Sequence, residues 1–213
     1  MILYGNSLSP FVRKTLAFAA EKAIDVELVA AGMGAGPPEF KLASPFGKMP
    51  GFQDGDFMLC DSTAIITYLE ALKPDPNLIP LDPKARAKTI WFEEFADTIV
   101  TACLGAMFFN EVVAPKFLGR PGDQAAADAA KTTGLPPILD YLEGVIPASG
   151  HLVEDRLTLA DLAVASPFQN AALCSVHPDP ARYPKTVAFL ARILSRPSYA
   201  GWVAQEKAMF GLA

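Results

Sequence analysis

The stretch "KPDPNLIPLDPK", from Lys73 to Lys84, constrains this chain more than any other segment. Four of its twelve residues are proline. Proline fixes its own φ and has no backbone N–H, so a helix cannot run through the segment, which reads as a linker. The pattern differs on its two sides. Upstream, short β-rich runs alternate with helical periodicity; downstream only helical periodicity remains. We expect a small α/β domain over residues 1–76, a Pro-rich linker over 77–83 and an all-helical domain over 84–213.

Upstream, "MILYG" reads as a strand. Phe11, Val12, Leu16, Phe18 and Ala19 recur at near-helical spacing from Pro10 to Lys22, with charges between them. "IDVELVA" is a second strand. A Gly- and Pro-rich loop follows, with one short helical turn at Glu39 to Leu42. "MPGFQDGDFMLCDS" is a hairpin about Asp54-Gly55, and "DSTAIITYLEAL" is a helix capped by Asp61 or Ser62. A β-α-β unit joined to a hairpin gives a small mixed sheet with helices packed on it. Downstream, helices are expected from Ala85 to about Val113, Asp123 to Glu143, Thr158 to Cys174, Pro184 to Ser195 and Ser198 to Lys207.

Composition removes several classes of function. A net charge of −5 with no basic run argues against nucleic acid as a partner. No uninterrupted apolar run reaches the roughly 18 to 20 residues that span a bilayer, so no membrane partner is expected. The first residues are strand-like and lack the basic and apolar regions of a signal peptide. Cys60, Cys103 and Cys174 are odd in number and widely spaced, which suits a reducing, cytoplasmic compartment. With two histidines, His151 and His177, no metal-ligand cluster is visible.

Three places carry candidate chemistry. Ser9 precedes Pro10 at the expected start of the first helix, an N-cap whose hydroxyl is also placed to donate to a ligand thiolate. Lowering a thiol pKa from about 8.5 by one to two units takes about 1.4 to 2.7 kcal/mol, within reach of one charge-assisted hydrogen bond plus the helix dipole. Ser7 falls in the preceding turn. Asp61-Ser62 is first of all a cap, but the same helix terminus offers N–H groups to a carboxylate while Asp61 offers a charge to an ammonium. An amino acid moiety satisfies both. Met49-Pro50 opens a strand; trans is favoured by base rate, whereas a cis bond would turn the Met49 backbone toward a peptide ligand. Thr158-x-x-Asp161 reads as a capping box, a folding device.

In order and spacing, these pieces resemble a glutathione S-transferase of serine type over nearly the whole chain. "SPFVRK" is similar to the start of the first helix in such proteins, and "SPFGKMPGF…GDFMLCDSTAIITYLE" resembles the glutathione-site signature. "LTLADLAVAS" resembles the buried capping motif, and "YPKTVAFLARILSRPSY" the C-terminal helix pair. The resemblance implies a thioredoxin-like N-terminal domain, an all-helical C-terminal domain and a homodimer binding glutathione, with no metal.

By the same resemblance Ser9 stabilises the glutathione thiolate, with Tyr4 a minor rival. The Met49 backbone, before Pro50, pairs with the cysteinyl part. Asp61, where the family more often has Glu, and Ser62 grip the γ-glutamyl end. Lys48 approaches the glycyl carboxylate, with Lys41 as a substitute for a second basic residue. A small hydrophobic electrophile would lie between Ser9 and the helical domain, with Phe11, Phe108, Phe109 and Phe117 as candidate walls. Glu93, Glu94 and Asp97 include a candidate carboxylate reaching across the dimer, against the simpler expectation of a solvated helix face. The implied activity is conjugation of glutathione, in detoxification. The alternatives are a glutathione-dependent isomerase, dehalogenase or ether-cleaving enzyme, and a non-catalytic binding or interaction module.

Overall fold

The computed structural model describes residues 1–212; Ala213, the last residue of the expected helical domain, lies outside them. Four strands, β1 (Ile2–Gly5), β2 (Glu27–Ala30), β3 (Gly51–Asp54) and β4 (Phe57–Cys60), form one sheet in the order β2-β1-β3-β4. β1 pairs parallel to β2, and β3 runs antiparallel to both β1 and β4. Helix α1 (Pro10–Glu21) makes the crossover, α2 (Pro38–Ala43) precedes β3, and α3 (Ser62–Leu72) follows the hairpin. This is the thioredoxin-like arrangement. The hairpin register sets Asp54 opposite Phe57, so the two loop residues are Gly55 and Asp56, one position later than expected. Gly55 has φ +61°, which suits the first loop position.

Successive strand residues point to opposite faces of the sheet. Leu3 packs with Val12 and Leu16 of α1, Phe52 of β3, and Ile65 and Leu69 of α3. Tyr4 turns the other way, to Phe40 and Ala43 of α2. Gly5 ends β1 against α1; a Cβ there would stand 2.5 Å from Val12 Cγ2, so the close approach of strand and helix needs glycine.

No helix or strand occupies the stretch between Leu72 and Pro83. From Pro83 to Phe117 the chain is then helical throughout. α4 (Pro83–Glu94) passes through a wide π-helical stretch (Phe95–Val100) into α5 (Thr101–Phe108) and a second such stretch (Phe109–Phe117). Pro115 lies within the latter, where its missing N–H opens the hydrogen-bond ladder. An 18-residue window of this helix reaches a mean hydropathy of 1.4, long and apolar enough by length and composition to cross a membrane. In this fold the helix packs against α8 and walls a cavity.

α6 (Gln124–Ala129) continues through a third wide stretch (Ala130–Gly134) into α7 (Leu135–Val145), and α8 (Leu159–Leu173), α9 (Pro184–Leu194) and α10 (Pro197–Met209) complete the helical domain. α8 is its axis, buried along almost its whole length. The Thr158 N–H donates to Asp161 Oδ2 at 2.8 Å and the Leu152 N–H to Asp161 Oδ1 at 2.8 Å, which closes the carboxylate half of the expected box.

The sequence pattern places charges between the apolar residues from Pro10 to Lys22 without saying where they point. Arg13 and Lys14 on α1 and Lys22 just after it are buried. Arg13 Nε donates to Glu206 of α10 at 3.0 Å, Lys14 Nζ to Glu93 of α4 at 2.5 Å, and Lys22 Nζ to Glu70 of α3 at 2.6 Å. A buried ion is tolerated only when paired and hydrogen-bonded. Two of these pairs join the domains.

Candidate active site

The turn from β1 to α1 is closed by its own backbone and by Asn6. The Leu8 N–H donates to Asn6 Oδ1 at 2.9 Å and the Ser9 N–H to the Asn6 carbonyl at 2.9 Å. Ser9 is the N-cap of α1, with Pro10 at the first helical position. Its Oγ accepts from the Val12 N–H at 3.5 Å, a weak cap by distance. Among the described residues the Ser9 hydroxyl proton has no acceptor within the protein.

Ser9 and Phe11 open onto a cavity of about 380 Å³ between the domains. Met49 closes it on the sheet side, and Leu104, Phe108, Phe109 and Phe117 on the helical side. Phe11 and the three other candidate phenylalanines therefore share one wall system, although Phe109 and Phe117 also remain exposed. Met33 and Asn170 line it as well.

The Met49–Pro50 bond is cis, as is Asp75–Pro76 in the connecting stretch. The Met49 side chain lies over Gly32, where a Cβ would approach Sδ to 2.3 Å at a φ of +119°. Asp61, at φ +77°, is exposed and caps α3: its Oδ1 accepts from the N–H groups of Thr63 at 2.9 Å and Ala64 at 3.1 Å. Ser62 begins α3 and is buried. Lys48 and Asp61 line a polar groove with Thr63, Glu94 and Asp97, and Phe11 borders both this groove and the apolar cavity. Ser9 and Asp61 thus stand at two helix N-termini, one beside the apolar cavity and the other beside the polar groove, with Phe11 between the two.

Other candidates lie elsewhere. Tyr4 is buried, its hydroxyl donates to Gln53 Oε1 at 2.5 Å, and burial raises its pKa. Ser7 is buried and lines neither cavity nor groove, and Pro50 is buried behind Met49. Lys41 is exposed on α2, outside both. Glu93 on α4 and Asp97 in the wide stretch after it depart from the solvated-face expectation. Glu93 is fully buried, accepting from Lys14 Nζ and, at 2.5 Å, from the Thr63 hydroxyl. Asp97 takes the same ammonium at 2.6 Å, while Glu94 stays exposed in the groove. Burial, reinforced by Glu93 and Glu94 and opposed by Lys14, pushes the Asp97 carboxyl up to about 6.

The comparisons with known proteins converge. The model of the glutathione S-transferase N-terminal domain matches residues 3–77, and that of the C-terminal domain matches residues 108–206. A glutathione S-transferase of Hyoscyamus muticus is 33% identical over 205 residues, covering 93% of this chain and 95% of that protein. This chain belongs to the glutathione S-transferase family. Glutathione transferase F7 of Populus trichocarpa superposes with a TM-score of 0.81 at 27% identity, covering 96% of this chain and 98% of that one. So does a glutathione S-transferase-I solved with lactoylglutathione, with a TM-score of 0.81 at 27% identity and 98% of both chains. The transferase is thus an enzyme of a family that takes glutathione as cosubstrate. The sequence reading of its site passed over Lys14, Arg13 and the α8 residues Ser166 and Asn170. A signal existed for the last two: polar residues interrupt the apolar run "LADLAVASPFQNAAL".

Proposed function

We propose that this transferase conjugates glutathione to a small hydrophobic electrophile, with Ser9 as the group that meets the sulfur. The observation that carries this reading is the position of Ser9. Of the three hydroxyls considered, Tyr4, Ser7 and Ser9, only that of Ser9 borders the interdomain cavity, with its proton uncommitted. The γ-glutamyl end would lie at the α3 N-terminus, its carboxylate on free N–H groups at Asp61 and Ser62 and its ammonium on the second Asp61 oxygen. The cysteinyl backbone would run beside Met49 and Pro50, and the glycyl carboxylate would point toward Lys48, with Lys41 further off on α2.

The chemistry follows from that placement. The Ser9 O–H and the α1 dipole stabilise the thiolate, its proton leaving to solvent. The sulfur lone pair attacks the electrophilic carbon, forming the S–C bond as the leaving group departs or the double bond shifts. Proximity does the rest, so no enzyme-bound covalent intermediate is required. Among the described residues the cavity wall carries neither a carboxylate nor an imidazole, which favours conjugation over reactions that need a general acid beside the second substrate. The same reading takes the protein as a cytoplasmic homodimer acting in detoxification, divided at residues 77–83.

The test is a Ser9→Ala enzyme assayed with 1-chloro-2,4-dinitrobenzene and titrated with S-hexylglutathione. Conjugation should collapse while the inhibitor still binds. Full turnover would remove Ser9 from the chemistry, and binding of the inhibitor with no turnover of any electrophile by the wild type would favour a binding module instead.

A further inference from the structure

Two side chains on α8 hold the backbone on either side of Ser9. Asn170 Nδ2 donates to the carbonyl of Leu8 at 2.8 Å, and Ser166 Oγ donates to the carbonyl of Pro10 at 2.8 Å. Positions four apart on a helix lie on one face, so a single face of α8 carries both donors. Arg13, one turn into α1, ties them together. Its guanidinium donates to Asn170 Oδ1 at 2.8 Å, to Ser166 Oγ at 3.3 Å and to the Ser166 carbonyl, and its Nε is paired with Glu206. Arginine has donors only, so its contact fixes which end of the Asn170 amide is oxygen and leaves the NH₂ for Leu8. All four side chains are at most 4% exposed.

We infer that Ser166 and Asn170 are positioning residues for the Ser9 hydroxyl, setting it against the electrophile cavity; this rests on the reading of Ser9 above. The carbonyls flanking Ser9 are held from α8, and its own N–H is held by Asn6. What stays uncommitted is the hydroxyl proton. α8 also contributes Pro167 and Asn170 to the cavity wall. One rigid element therefore locates both the group that meets the sulfur and part of the surface that holds the second substrate. The Ser9 cap is weak at 3.5 Å, so the helix itself fixes the turn poorly and the α8 donors supply what the cap does not. Displacements on the order of 1 Å in such a constellation cost about 100-fold in rate.

Asn170→Asp is the direct probe. It keeps the shape and the acceptor for Arg13 but sets a carboxylate oxygen against the Leu8 carbonyl. With 1-chloro-2,4-dinitrobenzene, kcat should fall about 10- to 100-fold, with the KM for glutathione little changed. The ultraviolet titration of enzyme-bound glutathione should show its thiol pKa moving back toward that of the free peptide. Ser166→Ala reads the Pro10 half alone and should show a smaller loss in the same direction, restored by Ser166→Thr. In a Ser9→Ala background Asn170→Asp should add nothing further to the thiol shift. An equal further loss in that background, or losses matching only the folded fraction in thermal melts, overturns the inference. So does a Ser9-dependent enzyme indifferent to Asn170→Asp and Ser166→Ala. A fully active Ser9→Ala enzyme removes the reading of Ser9 and this inference with it.

Discussion

The apolar cavity is bordered by the N-terminus of α1 and the polar groove by that of α3, and the two termini are secured in opposite ways. α3 has a strong local cap: Asp61 takes two N–H groups at 2.9 and 3.1 Å and stands in solvent. α1 has a weak one, Ser9 at 3.5 Å, yet it carries Arg13 and Lys14, two buried cations held by the helical domain. On the proposed reading, the cap that must stay available to a ligand sits on the helix held by tertiary contacts. The cap that keeps its fold-stabilising bond on one oxygen and offers the other rests on local chemistry.

The strongest way to break this contrast is Lys14→Ala. It strands Glu93 and Asp97 without their cation, and losing one partner of a buried pair costs about 3 to 5 kcal/mol. Urea unfolding should show that loss, and a change near zero would mean that α1 does not depend on its buried charge. Ser9→Ala comes next, with an effect on rate rather than folding. A conjugation kcat/KM lower by about 100-fold, near 2.7 kcal/mol, is expected with a thermal midpoint hardly moved. Asp61→Ala should do the reverse in kind, losing about 1 kcal/mol of cap along with glutathione affinity. Asp61→Asn keeps the cap and should lose affinity only, read by calorimetry with glutathione.

The smallest effect is a pH dependence. Burial raises the Asp97 carboxyl from 3.8 to about 6, so the folded protein binds this proton more tightly than the unfolded chain. The contribution of Asp97 to stability is therefore greatest below pH 3.8, falls as pH rises to about 6 and is flat above that. The difference in melting temperature between wild type and Asp97→Asn should trace this curve. Taking the difference cancels Glu21 and Glu143, whose lowered values slope the other way. A difference constant between pH 4 and 7 would place Asp97 in solvent.

The local devices were readable because each is settled within a few residues. Ser9-Pro10, Asp61-Ser62, Thr158 with Asp161, and the proline-dense connector all announce themselves through cap and proline chemistry. The turn after Asp54 was found but set one residue early, since strand register rather than dipeptide composition decides which two residues form the loop. Arg13 and Lys14 drew no reading because periodicity assigns a face without saying what will cover it. Their carboxylates, Glu206 and Glu93, lie 193 and 79 residues away. Lys41 is exposed on α2 and lines neither the cavity nor the groove, which its place in the chain does not show.

By itself the sequence determined the two-part architecture and the positions of the helix N-termini, because proline, glycine and capping residues act on their own backbone. Which hydroxyl faces the cavity was decided only by tertiary structure. The two-residue period of β1 sends Tyr4 to α2, the turn buries Ser7, and α8 reaches across the domains to the carbonyls on either side of Ser9. A hydrogen bond spanning more than 150 residues leaves no trace in local pattern, and two of them hold the carbonyls on either side of Ser9.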